Sequence, residues 1–513
     1  MRRLLPILLL CGACANAPST QTTLVVSQSG DPGALNPAVT TSGSVHPVTD
    51  QIFNGLVGLD EALNPVPELA ERWTIEDGGR TYRFTLRRGV KWHDGVPLTA
   101  ADVKFTFEQA LLKYHSRTRA ALEPLVLAIE TPDDHTVVFR LKHPYSALLQ
   151  RLDVVEASII AKHQFEGLDV LKASGPPRPI GTGPFRFVSY APGSQVVLER
   201  NPDYFRDGLP GVDRLVFQIL PEAGTAIAAL ERGEIDYAGS VAGPEIQRLR
   251  QTPGIAVVAG TGGSGGSICQ DVLIPNLLRT PFNDLRVRRA FAHALDRQAI
   301  VERIYFGQGR PATGPISHLL SWAYTPDVRQ YAPDPGEARR LLDAAGYRPG
   351  SNGERLAITF THSQTQQRLA TALRDQLSAV GITLNLRTLD FNAQVDQVFV
   401  KKSFDLGMAS YCNGSDPEIG VRRVYVSSNI GPYPFSNGAS YRNPRVDALF
   451  DAGAALEQRD QRRKAYVEIQ QILAEEIPYF WLIDSEGLRA YRTEFTGFRL
   501  WTGAFAETVR KAR

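Results

Sequence analysis

The chain has 513 residues, of which 43% are hydrophobic, and this is enough for roughly three domains with large apolar cores. Its formal net charge is only +2, so the overall charge gives no reason to expect a nucleic-acid partner. After the N-terminus no apolar run reaches about 18 residues, and the sequence therefore predicts no transmembrane helix.

The N-terminus has the pattern of an export signal. Two arginines precede the apolar run Leu4–Leu10, and small residues follow it. Cys14 comes directly after a Gly-Ala pair, which predicts a lipoprotein-like signal peptide at residues 1–14 with Cys14 lipidated. Cys11 stands where lipoprotein signals usually carry leucine, and simple cleavage after Ala15 or Ala17 is the alternative.

Export would place the chain in an oxidising compartment. Cys269 and Cys412 are the only cysteines beyond the signal, and we expect them to form a disulfide bond. Two buried free thiols are the alternative.

The stretch 69–107 contains two β-type runs followed by the start of a helix. Arg80–Leu86 alternates aromatic and polar residues, which predicts a half-buried strand. Val90–Trp92 is a second β-type run, and it ends at an Asp-Gly pair that favours a tight turn. Thr99 is expected to cap a helix that begins at Ala100.

The glycine-rich stretch 260–266, GTGGSGG, matches two catalytic patterns. Its glycines fit the dinucleotide fingerprint G-x-G-x-x-G, and Ser264 fits the G-x-S-x-G elbow of serine hydrolases. Both chemistries need a helix to start immediately afterwards, whereas Ile268–Ile274 has the pattern of a strand. The sequence therefore favours a flexible hinge between domains over either catalytic site.

The remaining chain alternates strands and helices. Leu356–Phe360 and Ile382–Leu386 are predicted strands on either side of a helix at Gln366–Val380, and this rhythm favours a mixed sheet with crossover helices. Asp460–Glu476 is a predicted long helix. The apolar run Ile477–Ile483 is predicted to be a strand that returns to the first domain.

A series of short motifs extends from about Asn54 to about Ile483. In order, they are GLV at 55–57, PELA at 67–70, the stretch 69–107, GTGPF at 181–185, NPDY at 201–204, PFND at 281–284, RVRRA at 286–290, the segment 338–347 and DP at 416–417. This series resembles the family 5 solute-binding proteins of bacterial ABC importers, which include dipeptide-, oligopeptide- and nickel-binding proteins.

The resemblance implies an α/β fold of the two-lobed periplasmic-binding-protein kind (type II, cluster C-like), with mixed sheets, an inserted extra domain and hinge-crossing segments. It implies that residues 20–56, 179–264 and 482–513 form domain I. Residues 57–178 would form the inserted domain II, and residues 265–481 domain III, the second lobe.

The resemblance also implies a function as the substrate-binding subunit of an ABC importer. Such a subunit captures a small peptide or peptide-like solute in a cleft between its lobes and delivers it to a membrane permease, which a separate ATPase subunit drives. We expect a periplasmic monomer without cofactor, metal or nucleic acid, with membrane contact only through a lipid on Cys14.

Two other classes of protein remain open. One is an exported sensor or chaperone-type binding protein without transport, and the other is a secreted hydrolase. The sequence has no H-E-x-x-H motif, no cysteine cluster and no P-loop, and we predict that the chain is not an enzyme.

The predicted ligand site centres on residues 410–423, SYCNGSDPEIGVRR. In peptide-binding members of the resembled family, an aspartate three residues before the Asp/Glu-Pro pair holds the α-ammonium of the ligand. This chain has Asn413 at that position. Because a buried ammonium needs a paired charge, a neutral, amine-blocked, glycosidic or anionic ligand is favoured over an ordinary peptide.

Four further residues are candidate ligand contacts. Arg422, beside Arg423, could pair with a carboxylate or phosphate, or it could lie on a helix surface. Asp416 could bind ligand or order the turn before a proline. Tyr411 and Trp322 could form aromatic walls of the cleft or belong to the core.

Overall fold

The computed structural model describes residues 21–512, except positions 41, 172–177, 242, 244, 261–267, 433–434, 486 and 502. The predicted signal peptide with Cys14, and all but the first residue of the glycine-rich stretch, lie outside the described residues. Among the described residues, no helix is both long enough and apolar enough to cross a membrane.

The strands are numbered in chain order. They are β1 Thr23–Gln28, β2 Val57–Leu59, β3 Pro65–Pro67, β4 Ala70–Glu76, β5 Thr81–Leu86, β6 Val126–Asp133, β7 Thr136–Leu141, β8 Phe185–Ala191, β9 Gln195–Arg200, β10 Arg214–Ile219, β11 Tyr237–Val241, β12 Ile255–Gly260, β13 Cys269–Pro275, β14 Arg310–Pro311, β15 Leu356–Ser363, β16 Ile382–Leu389, β17 Leu406–Cys412, β18 Phe480–Ser485, β19 Gly487–Arg492, β20 Phe495–Thr496 and β21 Arg510–Lys511.

The α-helices are numbered in the same way. They are α1 His46–Thr49, α2 Ala100–Phe105, α3 Ser116–Leu122, α4 Val154–Ala157, α5 Lys162–Phe165, α6 Ala223–Arg232, α7 Glu245–Arg250, α8 Leu285–Ala294, α9 Arg297–Arg303, α10 Pro335–Ala344, α11 Gln367–Ser378, α12 Phe391–Val395, α13 Pro417–Gly420, α14 Arg422–Tyr425, α15 Pro444–Ala455 and α16 Arg459–Glu476. Short 3-10 turns lie at Pro37–Val39, Leu149–Leu152, Gln364–Gln366 and Ser427–Asn429, and π turns at Thr106–Leu111 and Asp396–Val400.

Three sheets define two lobes. The first lobe contains a seven-stranded mixed sheet in the order β12-β19-β11-β1-β10-β9-β8 and a four-stranded antiparallel sheet in the order β4-β5-β7-β6. The second lobe contains a six-stranded mixed sheet in the order β14-β18-β13-β17-β15-β16. The chain passes between the lobes from β12 to β13 and again from β18 to β19. This mixed α/β architecture confirms the predicted fold class.

Local sequence signals position several elements. The alternating residues of β5 place Tyr82, Phe84 and Leu86 in the core, with exposures of 1% or less. Thr99 and Asp102 form a capping box at the start of α2, and the Asp284 side chain accepts a hydrogen bond from Arg286 N at the start of α8. The strand β5 and the cap at Thr99 confirm the predictions made from the sequence.

Two predictions differ from the structure. Val90–Trp92 forms only an isolated bridge, in which Lys91 pairs with Pro97. The run predicted at Ile477–Ile483 becomes β18, which pairs with β13 and β14 in the second lobe and does not enter the first-lobe sheet. The crossing to the first lobe therefore follows Ser485.

One hairpin packs into the cores of both lobes. Val57 of β2 belongs to the first-lobe core, whereas Leu59 and Leu63 pack with the second-lobe core. Arg459 at the start of α16 donates a hydrogen bond of 2.7 Å to Leu63 O. The hairpin β2–β3 is therefore a non-covalent attachment between the lobes, in addition to the two chain crossings.

The structure confirms the predicted disulfide bond. Cys269 and Cys412 lie directly opposite each other where β13 pairs with β17, and their sulfurs are bonded. The bond joins residues 143 positions apart in the sequence, so it restrains the unfolded second lobe strongly.

We expect the double substitution Cys269→Ser with Cys412→Ser to lower the free energy of unfolding by about 2–4 kcal/mol, because the unfolded chain regains the entropy of a long loop. The measurement is thermal unfolding of both proteins with and without reductant. Only the wild-type protein should melt at a lower temperature in reductant. An unchanged wild-type melting temperature, together with two titratable thiols, would contradict the bond.

Candidate ligand site between the lobes

The predicted site loop lies at the edge of the second-lobe sheet that faces the first lobe. The parallel strands β15, β16 and β17 all end at this edge, and α13 and α14 follow β17 directly. First-lobe atoms contact the second lobe here: Arg151 Nη2 donates to Glu418 O at 3.5 Å, and Ser146 N donates to Ala454 O at 2.9 Å. In open α/β sheets, the carboxyl ends of parallel strands are the usual position of ligand sites.

Asn413 holds the end of β17 against a neighbouring loop. The side chain is buried, its Oδ1 accepts a hydrogen bond of 2.6 Å from Ser317 N, and its Nδ2 donates to Pro315 O at 3.4 Å. Both polar atoms therefore have protein partners, and the group carries no charge. The predicted ligand contact at Asn413 stays a prediction.

Asp416 forms a buried ion pair. Its carboxylate accepts two hydrogen bonds of 2.7 Å from Arg462, and neither side chain is more than 1% exposed. Asp416 Oδ1 also accepts from Glu418 N at 3.0 Å and so caps α13. These contacts agree with the second of the two roles considered for Asp416, in which it orders the turn before Pro417.

The two aromatic candidates pack against arginines. Tyr411 is 3% exposed, donates to Ser436 O at 3.0 Å, and lies beneath the Arg423 guanidinium at 5.7 Å. Trp322 lies 5.0 Å from each of the guanidinium carbons of Arg459 and Arg462. Neither ring is free of protein contacts, and their roles as cleft walls remain predictions.

The two neighbouring arginines have different surroundings. Arg422 pairs with Glu418 at 3.3 Å and with Asp451 at 2.5 Å. Arg423 donates to the main-chain oxygens of Gly420 and Phe435. Within the part of the chain that the structure describes, no carboxylate forms an ion pair with Arg423, which leaves its charge available to a ligand.

The first lobe adds further arginines to this region. Glu156 on α4 pairs with Arg117 at 3.2 Å and with Arg151 at 3.3 Å, and Arg151 also donates to Tyr145 OH at 2.9 Å. Burial lowers the pKa of Arg423, and the charges of Arg117 and Arg151 lower this pKa further. Arg117, Arg151 and Glu156 therefore lie close enough to Arg423 to influence its charge, and the charge of Asp416 also acts on Arg151.

Two histidines border the same cluster. His46 Nδ1 lies 3.1 Å from Asp50 Oδ1 in a buried pair. His115 Nδ1 accepts from Thr118 N, and burial lowers the pKa of His115 to about 4, so the ring is neutral with its proton on Nε2. That Nε2 is buried and has no hydrogen-bond partner in the structure.

The sequence did not identify Arg117, Arg151 or Glu156 as site residues. They belong to the predicted inserted segment, and no local motif marks them. Arg422 and Arg423 are both candidate anion partners from the sequence, but sequence adjacency cannot show which of the two is paired within the protein. Among the described residues, no group of three His, Cys, Asp or Glu side chains is placed to hold a metal ion.

Comparisons with known proteins give a consistent result. Residues 64–432 match the model of the bacterial extracellular solute-binding proteins, family 5 Middle. The glutathione-binding protein GsiB of Salmonella choleraesuis is 30% identical over 460 residues, which cover 88% of this chain and 86% of that protein. A Brucella abortus protein, named as an ABC transporter peptide-binding protein, is 32% identical over 497 residues, which cover 93% and 90% of the two chains.

A solved structure supports the same fold. The oligopeptide-binding protein AppA of Bacillus subtilis, in complex with a nonapeptide, superimposes with a TM-score of 0.78 at 27% identity. The match covers 96% of this chain and all of that one (100%). The structural likeness therefore includes both lobes.

A pH-dependent stability is expected from Glu418. Its carboxylate is buried, accepts from Tyr466 OH at 3.0 Å, and has a pKa that burial raises from 4.5 to about 7, despite the nearby Arg422. Between these two pH values the unfolded chain releases this proton and the folded chain keeps it, so stability falls as pH rises.

The variant Glu418→Gln has no carboxyl group at this position and so lacks this proton exchange. We therefore expect the difference in melting temperature, variant minus wild type, to be larger at pH 8 than at pH 5. The measurement is thermal unfolding of both proteins at the two pH values. A difference that is the same at both pH values, or larger at pH 5, would show that Glu418 ionises normally in the folded protein.

Proposed function

Because the chain belongs to family 5 of the bacterial extracellular solute-binding proteins, we propose that it captures a peptide-like solute between its lobes and delivers it to a membrane permease. A separate ATPase subunit drives the transport, and the chain itself catalyses no reaction. The observation that carries the proposal is the polar interface between the two lobes, which the chain links between β12 and β13 and between β18 and β19.

Capture follows from closure of the two lobes. The contacts of Arg151 with Glu418 O and of Ser146 with Ala454 O exist only while the lobes are together. A solute that touches both lobes gains its full set of contacts only in this closed form, so it shifts the population towards closure. The permease then distinguishes the loaded protein by its shape.

The charges at the interface favour a solute with an acidic group. Arg117 and Arg151 both pair with the carboxylate of Glu156, and the charges of all three act on Arg423. Three guanidinium groups therefore share this one carboxylate. Guanidinium groups bind carboxylates in planar, paired hydrogen bonds. Glutathione carries two carboxylates, and since a relative is named for binding it, we propose an acidic peptide of this kind as the solute.

The sequence candidates have different places in this proposal. Asn413 and Asp416 fix the loop after β17, while Tyr411 supports Arg423 from below. Arg422 and Trp322 stabilise the same region of the second lobe through their ion pairs and stacking. The mature protein acts as a monomer in the periplasm, held at a membrane by a lipid on Cys14.

We expect the protein, expressed in a periplasm and purified gently, to retain a small acidic molecule, because tight ligands stabilise the folded state and survive purification. Native mass spectrometry measures the added mass, and denaturing extraction identifies the compound. Recovery of a neutral sugar, or of a peptide whose side chains carry no acidic group, would contradict the assignment of an acidic solute.

Removing the charge of Arg423 should weaken binding of that acidic compound. A hydrogen bond to a charged group contributes about 1.5–3 kcal/mol, so Arg423→Gln is expected to raise the Kd about 10- to 100-fold in calorimetry. Arg445→Gln is the matched control, because Arg445 pairs with Glu468 on an exposed surface of α15. Equal affinities of the two variants would exclude Arg423 from the site.

A further inference from the structure

A small cavity lies inside the second lobe, where α8, the start of α9 and the C-terminal end of α16 meet the start of β18. Its walls are mainly apolar or aromatic, and two arginines, Arg297 and Arg329, also line it. All of the lining residues belong to the second lobe, so the cavity is separate from the contact between the lobes.

The size of the cavity limits what it can hold. Its volume is about 30 Å³, counted as the space open to the centre of a water molecule. In this measure about 10–15 Å³ holds one water. The cavity therefore has room for roughly two waters, or for one ion that is larger than a water molecule, and it is too small for a peptide.

The guanidinium group of Arg297 lies at the wall of this cavity. Its Nη1 donates to Ala312 O at 2.6 Å and to Trp481 O at 3.4 Å, and its Nη2 donates to Tyr331 O at 3.4 Å. Trp481 and Tyr331 line the cavity as well. A guanidinium has five N–H donors, and the described residues accept hydrogen bonds from three of them. Two donors are therefore left for a ligand.

The positive charge of Arg297 has no counter-charge among the described residues. Burial lowers the pKa of Arg297, and no charged group contributes to this shift. Its sequence neighbour Asp296 accepts from Ala299 N at 2.9 Å and so caps α9. Buried Arg462, in contrast, pairs with Asp416. A charge that is removed from water is costly unless an opposite charge compensates it, and main-chain oxygens supply only dipoles.

The other charges beside the cavity do not supply the missing negative charge. Arg329 and Arg289 both pair with Glu475, at 3.0 and 3.1 Å. All three charges act on the pKa of Tyr331, which lines the cavity. Together with Arg297, these groups carry three positive charges and one negative charge. The surroundings of the cavity therefore favour an anion.

We propose that this cavity binds a small monovalent anion, of about the size of chloride, against the guanidinium group of Arg297. The anion accepts the two remaining N–H donors and compensates the buried charge. A monovalent ion suits the apolar walls better than a divalent one, because it loses less hydration energy when it enters. Since the anion binds only the folded chain, it stabilises the second lobe independently of the transported solute.

The test is thermal unfolding of the full-length mature protein while sodium gluconate is replaced stepwise by sodium chloride at constant ionic strength. Gluconate is too large for the cavity. Arg297→Met removes the charge, and Ala292→Leu fills the cavity from α8 while it leaves the contacts of Arg297 in place. Arg288→Met is the matched control, because Arg288 also donates to main-chain oxygens in this lobe, those of Phe282 and Glu476, and does not line the cavity.

We expect chloride to raise the melting temperature of the wild-type protein by at least about 2 °C, and the rise to level off as the site fills. Arg288→Met should keep this rise, whereas Arg297→Met and Ala292→Leu should lose it. In crystals of the wild-type protein soaked in bromide, an anomalous peak should lie in the cavity, in contact with the Arg297 guanidinium.

Three results would overturn the inference. A melting temperature of the wild-type protein that does not depend on chloride would show that no anion binds. An equal rise in the wild-type protein and in Ala292→Leu would be a general effect of the salt. Bromide that is absent from the cavity would make Arg297 a structural donor to main-chain oxygens. If Arg297→Met does not fold, Ala292→Leu and the bromide crystals still decide the question.

Discussion

A charge that leaves water must be paired, and this constraint organises the contact between the lobes. Asp416 and Arg462 neutralise each other inside the second lobe, and their pairing fixes the loop from which α13 presents its main chain to the first lobe. Glu507, near the C-terminus, is held in the first lobe by Arg206 and Arg499. The cost of burying one member alone is several kcal/mol, so each pair also fixes which chain segments meet.

The same constraint makes the exceptions informative. Arg423 is such an exception, because among the described residues it donates to main-chain oxygens and forms no ion pair with a carboxylate. A protein whose partner is a transported solute has to leave such groups unpaired, because the solute completes the pairing. The unpaired charge then contributes to both the affinity and the specificity for the solute. The protein without solute is less stable than the protein with solute bound.

The sequence predicts what depends on neighbouring residues. The cap at Thr99 and the alternation that forms β5 are recognisable from residue type and spacing, and an ordered motif series indicates the two-lobed fold. The disulfide bond is predictable for another reason, because Cys269 and Cys412 are the only two cysteines after the export signal. Which sheet β18 joins depends on pairing with distant strands, and its apolar composition suits either lobe. The site is equally non-local: Glu156 meets its arginines through tertiary packing that no local pattern encodes.

The hairpin β2–β3 has a consequence for the way the lobes separate. Two chain crossings alone would form a hinge, about which one lobe can swing freely. Leu59 and Leu63 pack in the core of the second lobe, and Val57 packs in the core of the first. The hairpin therefore connects the two lobes beside the hinge. When the lobes separate, the hairpin β2–β3 has to bend or Leu63 has to leave the core of the second lobe. Separation of the lobes therefore has to overcome an apolar contact as well as the polar contacts of Arg151 and Ser146.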